Sequence, residues 1–119
     1  MYEVLKRSGD AAPFELFKIK KAIEKAFIAC DTQYNESILD FLALKVTADF
    51  EPKIQQELIS VEDIQDSVET VLIQAGYTEV AKAYILYRKQ HEKKRQMESV
   101  FTLYGDGVGD YFYLYAVQQ

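Results

Sequence analysis

Apolar residues recur at helical spacing in four separate stretches of this chain. Leu16, Ile19, Ile23, Ala26, Phe27 and Cys30 form one stripe and predict a helix over 16–30. Lys18, Lys20, Lys21, Glu24 and Lys25 fill its other faces. Asn35 is suited to cap a second helix with Ile38, Phe41, Leu42, Val46 and Phe50 on one side, which Pro52 ends or kinks. Residues 53–59 are expected to add a turn of helix. Ser60 and Asp63 form a capping pattern before a third helix whose apolar set is Val61, Ile64, Val68, Val71, Leu72 and Ala75. Gly76 is a stop signal for it. That spacing matches the first helix position for position, so the two are expected to pack as a pair. A fourth helix, 78–98, packs Val80, Ala81, Tyr84 and Tyr87 and is polar beyond them.

The two ends differ from this pattern. Residues 2–7 alternate as a strand, with Tyr2, Val4 and Lys6 on one side. Ser8-Gly9-Asp10 signals a turn, and residues 12–15 return as a second strand in which Pro13 is tolerable at an edge. Beyond 98, Gly105, Gly107 and Gly109 break regular structure among six aromatics: Phe101, Tyr104, Tyr111, Phe112, Tyr113 and Tyr115. The expected architecture is mainly α, a four-helix body under an N-terminal β-hairpin lid. Residues 1–98 form the domain and 99–119 an aromatic-rich linker or docking segment.

Composition narrows the class. The chain has 119 residues, 49% of them hydrophobic, enough for one domain with a core of its own. The single cysteine, Cys30, allows no internal disulfide and suits a reducing cytoplasm. No apolar run approaches the roughly 20 residues of a membrane span. The net charge of −5 argues against a general nucleic-acid binder. Its distribution changes the picture more. Residues 1–30 carry +2, 31–80 carry −9, 81–98 carry +4 and the tail −2. If the two basic ends meet in space, they make a positive site suited to a small anion.

Candidate chemistry follows from those ends. Lys6 and Arg7 are adjacent cations, and Arg offers a planar fork to phosphate oxygens. As strand neighbours they point to opposite faces, so only one aims directly at a ligand; an edge strand guarded by charge is the plainer reading. Lys18 lies in a helix's first turn, where free amides and the positive helix end also favour an anion. Arg88 and Lys89 directly follow the packed Tyr84–Tyr87 segment and are better held than the later cations of that run. His91, the only histidine, reads as an exposed helix residue. The 105–110 segment, GDGVGD, lacks the Lys-Ser/Thr of a phosphate loop and reads as a loop. Glu62, Asp63, Asp66 and Glu69 read as a solvated helix face, the other reading being a hold on Mg²⁺ through phosphate. No nucleophile, base and acid set is apparent, so an enzyme such as a small kinase is the least favoured reading.

Three stretches together resemble the ATP-cone, the nucleotide-sensing regulatory domain of many ribonucleotide reductases. They are VLKRSG with Phe14 and Lys18-Ile19, then Ile59 to Glu69 (ISVEDIQDSVE), then Ala83 to Arg88 (AYILYR). The resemblance implies a four-helix ATP-cone body with a hairpin lid over ATP or dATP, bound with Mg²⁺. It implies that Val4 and Ile19 contact the adenine region and that Lys6 and Arg7 hold phosphates. Glu15 and Lys18 would lie near base and phosphates, Val61 and Gln65 would face the nucleotide, and Arg88 and Lys89 would complete the phosphate clamp. Ser8 stands where the family often has Asp. The stretch 87–113 loosely resembles the join between cone and catalytic domain in anaerobic, glycyl-radical reductases.

The resemblance therefore implies a regulatory domain without catalytic residues, excised from a cytoplasmic ribonucleoside-triphosphate reductase. Its partners would be an adenine nucleotide, a reductase catalytic domain and further copies of itself, with neither nucleic acid nor membrane. The alternative is a nucleotide-independent helical protein-interaction module, which leaves the two basic ends unexplained.

Overall fold

The computed structural model describes residues 1–101 and the side chains of 1–93. The chain runs β1 (Glu3–Leu5), β2 (Ala11–Pro13), α1 (Leu16–Ala29), α2 (Glu36–Phe50), a single 3-10 turn (Glu51–Lys53), β3 (Leu58–Ser60), α3 (Val61–Gln74) and α4 (Thr78–Phe101). The expected four-helix body and N-terminal hairpin are both present. From residue 102 onward, the aromatic segment lies outside the described residues.

Local chemistry fixes the helix ends. Asn35 Oδ1 accepts from the Ile38 amide at 2.8 Å, and Ser60 Oγ from the Asp63 amide at 3.1 Å. Each such cap contributes about 1 kcal/mol. Helix α3 ends in a paired-carbonyl motif: Gly76 at φ +89° donates to Ile73 at 3.0 Å and Tyr77 donates to Leu72 at 2.9 Å. Helix α1 ends the same way, with Asp31 at φ +54° in the glycine position and Thr32 donating to Phe27 at 3.0 Å.

The helices form a ring in which α1 and α3 each pack on α2 and α4. They lie diagonally, so the expected α1–α3 pair does not form. Equal spacing reports that both helices face one core, not that they face each other. Within α2 the buried stripe is Leu39, Leu42, Ala43, Val46 and Phe50, while Phe41 is 56% exposed. The stripe is thus rotated from the expected one, with Leu39 and Ala43 buried and Phe41 turned outward. Phe27 is fully buried, with its ring centroid 5.6 Å from that of Tyr34 and 5.1 Å from that of Tyr77.

The segment expected to add helical structure instead supplies a strand. Only 51–53 is helix-like; Leu58–Ser60 pairs parallel with β1, giving the strand order β2-β1-β3. Val4, fully buried, is opposite both Ala12 and Ile59. The hairpin is therefore joined to the strand that leads directly into α3. Pro13 lies on an outer strand, where its missing N–H costs no ladder bond.

A strained turn makes this third strand possible. Gln55 and Leu58 exchange backbone hydrogen bonds of 3.0 Å each, and the two residues between them, Gln56 and Glu57, have φ of +53° and +63°. That is type I′ turn geometry, which favours Asn-Gly. The double substitution Gln56→Asn, Glu57→Gly is expected to stabilise the fold by about 1 kcal/mol. A thermal melt that shows no rise in Tm would contradict this account of the turn.

Candidate functional site

Backbone hydrogen bonds place Lys6 and Arg7 in the hairpin turn, not in a strand. Lys6 N–H donates to Asp10 at 2.8 Å, Gly9 N–H donates to Lys6 at 2.9 Å, and Gly9 closes the turn at φ +96°. Strand alternation ends at Leu5, so it does not send the two cations to opposite faces. Both are half-buried.

Arg7 is tied to α3 across 58 residues of sequence. Its Nη2 donates to Gln65 Oε1 at 2.9 Å, and its Nε lies 2.7 Å from Glu62 Oε2. One turn further along α3, Arg88 Nη1 from α4 contacts Asp66 Oδ1 at 2.9 Å and Glu69 Oε2 at 2.7 Å. Glu62, Asp66 and Glu69 follow i, i+4, i+7 spacing and so share one face of the helix. The carboxylates read from sequence as a solvated face are thus partners of the two arginines, and Asp63 lies 3.9 Å from Lys53.

Electrostatics bind these groups into one cluster. Tyr84 is buried on α4, one turn before Arg88, and the charges of Arg88, Glu69, Arg7 and Asp66 all act on its phenol. Burial pushes that phenol well above its ordinary pKa. For Arg88, partial burial opposes the charged form, but hydrogen bonds to Glu69 and Asp66 outweigh it and raise the pKa further. One arginine from each basic end reaches the same face of α3. That face is acidic, so these two arginines are matched by three carboxylates.

The remaining candidates divide into a buried set and a rim. Val4, Ile19, Val61 and Gln65 are each no more than 1% exposed. The first three belong to the core, and Gln65 holds Arg7. Glu15 precedes α1 without capping it through its side chain and lies 3.8 Å from Lys18 Nζ. Among the described residues, neither Lys6 nor Lys89 forms an ion pair with a carboxylate. Lys89 lines a cleft of about 260 Å³ with Glu69, Ile85, Arg88 and Glu92. That is smaller than the roughly 300–1,000 Å³ of a typical ligand site and suits a phosphate group better than a nucleoside. A larger groove, about 560 Å³, lies along Tyr2, Glu3, Pro13 and Glu57 and includes none of the candidates. His91, expected to be exposed, is half-buried, with both ring nitrogens shielded from solvent.

Sequence reasoning noted Glu62, Asp66 and Glu69 but missed their pairing with Arg7 and Arg88. Their i, i+4, i+7 spacing was visible, but their partners are too distant along the chain to be read from it. Among the described residues, no group of three or more acidic, histidine or cysteine side chains could hold a metal. No described helix is long and apolar enough to cross a membrane.

Comparison with known proteins shows the family of this chain. Residues 2–93 match the family model described as the ATP cone domain. The ribonucleoside-diphosphate reductase subunit alpha of Chlamydia pneumoniae is 39% identical over 99 residues, covering 77% of this chain and 9% of that protein. The vitamin B12-dependent ribonucleoside-diphosphate reductase of Thermoplasma acidophilum is 40% identical over 111 residues, covering 87% of this chain and 14% of that protein. The anaerobic ribonucleoside-triphosphate reductase of Haemophilus influenzae is 35% identical over 101 residues, covering 85% and 14%. The chain thus spans between 9% and 14% of the length of these relatives.

Proposed function

The chain belongs to the ATP-cone family, and on that premise we propose that it is an allosteric regulatory unit of a ribonucleotide reductase. It binds ATP or dATP, which control the activity and oligomeric state of the reductase. The observation that carries this reading is the meeting of Arg7, from the N-terminal turn, and Arg88, from the last helix, across α3 around the Tyr84 phenol. Two cations far apart in sequence are held at one place, which a nucleotide-independent module would not require.

In this reading Lys6, Arg7 and Lys18 take the phosphates from the hairpin and α1 side, and Arg88 and Lys89 complete the clamp. Val4, Ile19, Val61 and Gln65 form the wall beneath the nucleoside, with Glu15 at its edge. Mg²⁺ arrives with the triphosphate and neutralises part of its charge. The unit itself carries out no bond-making step, and works in the cytoplasm beside a reductase catalytic domain. ATP and dATP differ by one hydroxyl, so regulation requires that this contact favour one of two arrangements of the site.

Isothermal calorimetry of the 119-residue chain with MgATP and MgdATP tests the proposal. Micromolar binding of at least one is expected, with dATP changing the elution volume on a sizing column. Absence of heat and of any thermal shift with both nucleotides rejects the sensor and favours the interaction module.

A further inference from the structure

We propose that Glu62 is a built-in competitor for the anion seat on Arg7, and that Gln65 is the fixed holder that keeps the guanidinium aimed while the competitor leaves. This deepens the nucleotide-binding reading and rests on it.

The two contacts to Arg7 differ in kind. Gln65 is fully buried, so its amide oxygen has little room to move. Glu62 is a surface side chain, 47% exposed, whose carboxylate can turn into water at low cost. Arg7 has five N–H donors in a rigid fork. Gln65 takes one at 2.9 Å, while Glu62 occupies another edge at 2.7 Å. A phosphate oxygen has the same charge sign and acceptor chemistry as that carboxylate oxygen, so it fits the same edge.

Occupancy of that edge makes displacement necessary. Glu62 holds the Nε edge of Arg7, while Asp66 and Glu69 are both engaged with Arg88. A polyphosphate oxygen reaching that edge of Arg7 must displace the Glu62 carboxylate. Glu62 is the one that faces the hairpin turn carrying Lys6 and Arg7; Asp66 and Glu69 are engaged with Arg88. Weak anions must meet the same cost, so phosphate at low concentration is held off. When Glu62 leaves, the turn also loses one of its ties to α3, which links occupancy of the seat to the hairpin.

The test titrates the 119-residue chain with MgATP and with inorganic tripolyphosphate. Four variants are compared: Glu62→Gln, Glu62→Ala, Gln65→Leu and Asp63→Asn. Loss of the competitor is expected to tighten both ligands by about two- to fivefold, the fold-change equivalent of a solvent-accessible ion pair. Gln65→Leu is expected to weaken both. Asp63→Asn removes the same charge one residue away, where the partner is Lys53, and is expected to leave affinity nearly unchanged. Unaltered or weaker binding in both Glu62 variants overturns the competitor. So does equal tightening in Asp63→Asn, which would show that only net charge matters. If the parent chain binds neither ligand but Glu62→Gln binds tripolyphosphate, the competitor stands and the nucleotide reading fails; if no variant binds either ligand, both fail.

Discussion

The double variant Lys6→Ala, Arg7→Ala is expected to lose ATP and dATP affinity by about a hundredfold or more while keeping its helical circular dichroism. In the proposed site each cation would supply a charge-assisted hydrogen bond of about 1.5–3 kcal/mol, so losing two would put binding beyond ordinary calorimetry. The fold is expected to survive because the turn is closed by backbone groups: Lys6 N–H to Asp10 and Gly9 N–H to Lys6 remain after side-chain removal. A modest drop in Tm is expected, since Gln65 loses the Arg7 donor and is buried. Lys20→Ala is the matched control. The Lys20 ammonium lies 2.6 Å from Asp40 and 2.9 Å from Glu36, and hydrogen bonds to those carboxylates push its pKa up to about 12. It joins α1 to α2 and belongs to a different surface from Arg7, so its loss should leave nucleotide affinity unchanged. Undiminished binding in the double variant would remove the hairpin turn from the site.

How far the sequence revealed this arrangement depends on the range of each interaction. Helix starts were legible because Asn35 and Ser60 act on amides three residues away. The α3 stop was legible because Gly76 advertises positive φ, whereas Asp31 performs the same task for α1 without a distinctive signal. The buried face of α2 was read one step off because Phe41 satisfies helical spacing as well as Leu39 does; only packing chooses between them. Strand β3 was missed because three residues after a Gln-Glu turn carry almost no periodic signal. The same limit applies to the site. The cations were legible as charges at two ends, but their neutralisation by Glu62, Asp66 and Glu69 depends on contacts 19 to 55 residues apart, from Arg88–Glu69 to Arg7–Glu62 (62 − 7 = 55).

Val4→Asp is expected to destabilise the whole domain by about 3–5 kcal/mol at pH 7, the usual cost of an uncompensated buried charge. The reason is the position of β1 in the middle of the sheet. Val4 is fully buried between Ala12 and Ile59, and Ile59 immediately precedes the Ser60 cap of α3. Releasing β1 would also unpack Tyr2 from Phe14 and Phe50, whose centroids lie 4.8 and 6.1 Å from its own. The hairpin therefore cannot swing away as a free lid without exposing part of the core. The pH dependence has a definite sign. Burial raises the folded-state pKa of the new carboxyl above its unfolded value of about 3.9. The deficit is smallest below about pH 4 and grows as pH rises toward the folded pKa, by up to about 1.4 kcal/mol per unit. Val4→Asn carries no such charge and should show no added pH dependence. Urea unfolding at pH 4 and pH 7 separates the two. If Val4→Asp instead kept the parental midpoint while hydrogen exchange showed only residues 3–13 unprotected, the hairpin would be an independent flap. Nucleotide occupancy would then have no route through β3 into α3.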